Sequence, residues 1–340
     1  GKHLYMAVSI IIVLFLLFVE IFGVKYIKES QNVLNYQFTK ILKGVCCFPV
    51  IFSHIYAPYD NECQSWIGSF AFIAVALYFL FASYGLEVSV INKKDYLSHF
   101  FVNRFSKILV PYILCILIRF LFHTHLTYGG ANFVHVLIVY YIIFYFAHTK
   151  FLDGKKREVF LLICTLGYSI GGFFLGYKLH LPVIGLKWYP ESLGLTLGII
   201  IAYHYDRINL FFKRNIALKT VIMFAVAFFL KYSYTHYIYK YYFIGNYIYR
   251  MLMGISVIVF ITLLLTHIKL GNPLSTKLGD LSFEIFLYHG LFLQWLITLP
   301  VQWTSNTYIM AVFVCTVSTA IIMNKIGVFI IKRLISINNT

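Results

Sequence analysis

Apolar runs of about twenty residues recur along the chain, separated by short clusters of charged and turn-forming residues. A helix rises ~1.5 Å per residue, so a run of ~20 apolar residues is the length that crosses a hydrocarbon layer. Read this way, the pattern predicts eleven spans, at 5–24, 43–59, 66–90, 101–121, 131–148, 158–177, 189–205, 216–233, 248–267, 281–298 and 307–329. The expected fold class is all-α, a polytopic transmembrane helical bundle. No internal repeat and no Ser/Gly-rich or charged linker divides the chain, which reads as one membrane domain over 1–340, with 5–24 an extra first span ahead of a core at 39–330. That first run is too long for a signal peptide, lacks a small-residue cleavage pattern and ends at Lys25 and Lys28, so it is read as a helix.

Polar residues inside these runs are the exceptions that point to chemistry. His54 closes KGVCCFPVIFSH, in which Lys43 is the only other charged or titratable nitrogen. Eleven residues are close to three turns, so Lys43, Cys47, Val50 and His54 share one stripe. With Lys43 at the membrane surface, a rise of ~16 Å would carry His54 to about mid-bilayer. Pro49 removes the hydrogen bond to the Val45 carbonyl and is expected to kink the helix below His54. His289 lies about eight residues above the expected start of its own span and so at a depth where it meets His54. Glu284 and Glu87 are the carboxyls nearest the hydrocarbon, able to orient a histidine or pair with a cation; for Glu87 an interfacial, solvated carboxylate is the equal alternative.

Composition agrees with the pattern: 61% of residues are hydrophobic and 12% charged, about half the charge of a soluble domain. The net charge of +16 raises nucleic-acid binding, but its distribution answers it. Of 28 Lys and Arg, 21 fall in loops on one side of the eleven-span topology and 7 on the other. This positive-inside bias places the amino end outside and the carboxyl end in the cytoplasm, with no nucleic-acid partner. Five of six cysteines fall within spans and only Cys63 in an outer loop, so neither a disulfide framework nor a metal site is expected.

Five segments, in order, resemble the membrane acyltransferase-3 family of bacterial envelope O-acyltransferases. TKILKGVCCFPVIFSHIYAP resembles its first conserved helix, with Lys43 where the family has arginine, Gly44 after it, and His54 at the histidine. ALYFLFASYGLEVS (76–89) resembles the second motif, with Ala82-Ser83 in place of Ser-Gly and Tyr84 following. FVNRFSKILVPY (101–112), KWYPESLGLTLG (187–198) and LGDLSFEIFLYHG (278–290) are similar to the basic, Trp-to-Gly and Tyr-Leu-x-His segments.

The resemblance implies acetyl transfer from cytoplasmic acetyl-CoA to a hydroxyl of an envelope saccharide (capsule, exopolysaccharide or lipid-linked glycan) at a bacterial plasma membrane. His54 would be the general base or be transiently acylated itself, with Lys43, His289 and Glu284 beside it. Coenzyme A needs cations for its phosphates, and Arg104 and Lys107, three apart and on one helix face, fit with Lys43 and Tyr84. Lys93 and Lys94 in the same loop are better explained by the charge bias. Near the outer face, Arg119, Glu191, Asp60 and Arg250 are acceptor-contact candidates, with Glu87 added; His123, His125, His180 and His236 fall in outer loops without expected chemistry. The rival readings are a transporter or lipid-linked sugar flippase, against which the lack of an inverted repeat counts, and an inactive relative that only binds.

Overall fold

A computed structural model describes residues 4–123, 131–178 and 188–338. The helices are α1 (Ala7–Ile21), α2 (Tyr36–Ser53), a short α3 (Glu62–Gly68), α4 (Ala71–Asn92), α5 (Ser106–Leu121) and α6 (Ala131–Lys150). They continue with α7 (Gly154–Lys178), α8 (Leu193–Lys213), α9 (Ile216–Ser233), α10 (Arg250–Leu265), α11 (Pro273–Thr298) and α12 (Ser305–Asn338). The only described strands, β1 (Lys25–Tyr26) and β2 (Ile268–Lys269), pair antiparallel and tie the turn after α1 to the turn after α10. The chain is thus an all-α bundle, as the hydrophobic pattern predicts.

Nine stretches among the described residues are long and apolar enough to cross a membrane. α2 and α8 fall outside that group because Lys40 and Lys43 interrupt one and His204, Asp206 and Arg207 the other. Both make the most extensive helix contacts in the fold, α8 with α4 and α2 with α11. A helix enclosed by protein can carry polar residues that a lipid-facing helix cannot.

The boundaries of the two site helices differ from the sequence expectation. α2 begins at Tyr36, where the Asn35 side chain caps it by accepting from the Phe38 amide at 2.9 Å. It runs through Pro49 and ends at Ser53. α11 begins at Pro273 behind a capping box between Asn272 and Ser275. Each therefore starts seven or eight residues earlier than expected. Lys43 lies two turns inside its helix, not at the surface. His54 is the cap residue at the far end, ~27 Å from Tyr36, which is nearly a full hydrocarbon thickness and not half of one.

Candidate active site

Glycine sets the crossing of α2 and α11. A Cβ on Gly44 would come within 2.9 Å of the Gly279 amide nitrogen, and one on Gly279 would collide with the Lys40 carbonyl. Two bare backbones thus pass in contact, as small residues allow between membrane helices. Just beside the crossing, Lys40 pairs with Asp280. The hydroxyl of Tyr78, from α4, donates to the Lys43 carbonyl at 2.8 Å and holds α4 against the same point.

Around this crossing opens a cavity of ≈ 650 Å³ walled by α2, α4, α5, α6, α11 and α12. Six cations line it: Lys40, Lys43, Arg104, Lys107, Lys277 and Lys332, against only two carboxyls, Asp280 and Glu284. Arg104 sits in a wide π-helical turn, Phe101–Phe105, that leads into α5. Its guanidinium lies 5.8 Å from the Tyr141 ring centroid, and its buried Nε has no hydrogen-bond partner. A volume in the range of ligand pockets, an excess of cations and an unsatisfied guanidinium nitrogen together fit a polyanion. Lys43, Arg104 and Lys107 are brought together here, as the sequence suggests. Lys40, Lys277 and Lys332, which the sequence marks only as part of the loop charge bias, join them.

The second feature is the histidine pair. His54 and His289 stack with ring centroids 5.6 Å apart and an interplanar angle of 29°. His289 is fully buried; its Nδ1 donates to the Phe286 carbonyl at 2.5 Å, which leaves Nε2 as the lone-pair nitrogen, without a partner. His54 is half-buried and is followed by a loop tied at both ends. Gln64 donates to the Phe52 carbonyl, and Asn61 donates to Ser9 Oγ at 3.0 Å and Ser305 Oγ at 2.9 Å. α1, α3 and α12 thereby hold the loop beside the imidazole. Because both helix starts were misplaced by nearly the same amount, the expected meeting of His54 and His289 survives the correction.

Arg119 is the one fully buried lysine or arginine among the described residues. Its Nη2 donates to the Leu287 carbonyl at 3.0 Å, two residues from His289 along α11. The expectation of an outer-face acceptor contact is replaced by a cation beside the histidines.

Several other residues lie elsewhere than expected. Glu284 accepts from Asn324 Nδ2 at 3.1 Å and lines the cavity; it does not orient His289, because five residues turn it to another side of α11. Tyr84 is not part of the cavity wall. Tyr78 and Ala82, four apart, face the cavity, and Tyr84 is turned about 200° from Ala82, toward Asn32, which donates to its hydroxyl at 3.3 Å. Glu87 is not solvated: it is buried and meets His148 Nε2 at 2.9 Å. Glu191 and Arg250 pair with each other at 3.0 Å, with Arg250 also 4.8 Å over the Phe72 ring. Asp60 is exposed in the loop after His54. Lys93 and Lys94 are exposed and do not line the cavity. His123 and His236 are exposed; His125 and His180 lie outside the described residues.

The acyltransferase domain family matches residues 37–325, that is, α2 through most of α12. Comparison with curated proteins and with solved structures returns no match. The match covers well over half of the chain and includes the glycine crossing, the cation-lined cavity and both histidines; the protein belongs to the membrane acyltransferase-3 family and is a multi-pass membrane acyltransferase.

Proposed function

We propose that this acyltransferase moves an acetyl group from cytoplasmic acetyl-CoA to a hydroxyl of an envelope saccharide at a bacterial plasma membrane. The observation that carries the reading is the alignment of two features on α2 and α11. Six cations surround one cavity near Lys43, and two stacked histidines lie ~16 Å farther along α2. The pantetheine arm between the diphosphate and the thioester is a chain about as long as four to five extended residues, roughly 15–16 Å. Phosphates near Lys43 and Arg104 would therefore put the thioester within reach of His54.

His54 takes the proton of the acceptor hydroxyl as its oxygen attacks the thioester carbonyl. The tetrahedral oxyanion gains from the positive charge of Arg119, buried where water does not screen it. Collapse breaks the carbon–sulfur bond and releases the thiolate of coenzyme A, which regains a proton from the imidazolium or from water. His289, held by the Phe286 carbonyl, fixes the plane against which His54 stacks. The loop charge bias supports the cavity end as cytoplasmic and the His54 end as facing outward, where a saccharide arrives.

The test compares envelope glycans from cells expressing the wild type and His54→Ala by mass spectrometry, alongside acetyl-CoA titrations of both purified proteins. The expected result is one acyl ester lost in the variant with donor affinity unchanged. Glycans acylated to the wild-type level by His54→Ala would remove His54 from the reaction.

A further inference from the structure

Three rings in mutual contact connect the cavity wall to the histidines. Tyr78 of α4, Phe133 of α6 and Phe286 of α11 meet with centroid separations of 5.7 Å (Tyr78–Phe133), 5.8 Å (Tyr78–Phe286) and 4.9 Å (Phe133–Phe286). Tyr78 and Phe133 line the cavity; Phe286, His54 and His289 do not. On the far side, the Phe286 ring stands 5.6 Å from the His289 ring. All three rings are buried, and so is what lies behind them: His289, Tyr288, Leu291 and Phe52 are each 0% exposed.

We propose that this layer, and Phe286 in particular, is the aperture through which the thioester reaches the histidines, and that it selects short acyl groups by size. The inference rests on the donor assignment above and extends it to named specificity residues. An arm of ~16 Å anchored near Lys43 crosses the ring layer to bring its thioester to the histidines, so the acyl carbons are what must pass the layer first and lodge behind it. Tyr78 is fixed, because its hydroxyl is bonded to the Lys43 carbonyl. The two phenylalanines have no such anchor, and a pivot of the Phe286 ring about its side-chain torsions opens the way to His289. The region behind the layer is close-packed, and each methylene added beyond acetyl must displace a neighbour. Acetyl needs the least displacement.

The experiment titrates full-length protein in lipid nanodiscs with coenzyme A, acetyl-CoA and hexanoyl-CoA. For the wild type, hexanoyl-CoA is expected to bind at least about tenfold more weakly than acetyl-CoA, the scale on which apolar pockets discriminate by methylenes. Phe286→Ala should bring the two within a few-fold, while affinity for coenzyme A itself stays at the wild-type value because the cation wall is untouched. Phe286→Leu, a milder change that preserves packing, should move the ratio the same way by less. If both variants bind coenzyme A normally and keep the wild-type acyl preference, Phe286 is not the aperture and this proposal alone falls. If wild-type protein binds no coenzyme A, the donor assignment falls and takes the aperture with it.

Discussion

Lys43 stands where the family resemblance expects arginine, and its ammonium shares a cavity with Arg104. The charge is kept and the forked donor geometry is lost. Replacing Lys43 with alanine should weaken acetyl-CoA binding by about 1.5–3 kcal/mol, roughly 10- to 150-fold, as removal of a charge-assisted contact does. Lys43→Arg should bind at least as well as the wild type. Lys93→Ala, outside the cavity, serves as the reference and should leave affinity alone. Equal affinity for Lys43→Ala and Lys93→Ala would return Lys43 to ordinary positive charge. Charge and position along the chain point to Lys43, Arg104 and Lys107, and the fold brings the three to one cavity. They could not choose between Tyr84 and Tyr78, since that depends on which side of α4 faces the cavity, and a uniformly apolar helix carries no such mark: fifteen of its 22 residues are buried.

At the scale of elements, the site depends on how closely α2 and α11 approach. Gly44→Ala and Gly279→Ala should each force the helices apart and destabilise the fold by about 1–3 kcal/mol, seen as a lower melting temperature in detergent. Gly167 in α7 has no atom within 4 Å of an added Cβ, so Gly167→Ala should be neutral or stabilise by about 0.5–1 kcal/mol. Three variants with the same melting temperature would disprove the contact. The same logic applies to α4 and α8: Gly194 and Gly198, four apart, meet the Ala76 carbonyl and Ser83 Oγ. These glycines sit inside the segments that carry the family resemblance, so the motifs mark helix crossings as well as chemistry. The helix starts were legible too, in Asn35 and in Asn272-Pro273 with Ser275, but treating charged residues as span ends concealed them.

For the whole molecule, the charge bias implies an orientation that one native residue can report. Cys63 lies on α3, at the end of the bundle near His54 and away from the cavity mouth. In a protein otherwise free of cysteine, an impermeant maleimide should label Cys63 on intact cells, whereas a cysteine introduced at Lys155 should react only after permeabilisation. Labelling of the Lys155 site, but not Cys63, on intact cells would invert the orientation and move the donor cavity outside.

Much was decided by the linear sequence alone. Apolar runs of membrane length force backbone groups to bond within their own segments, so an all-α bundle follows from local composition. The ordered motifs carried the family, and helical periodicity linked Lys43 to His54. What convergence did was bring distant segments to one point: Lys277 and Lys332 to the Lys43 cavity, Arg119 to the Leu287 carbonyl, Glu87 to His148, and Phe133 to Phe286. None of these pairings is marked in the chain, because each depends on which faces of separate helices meet, and that is set by close packing at a few glycines summed over the whole bundle.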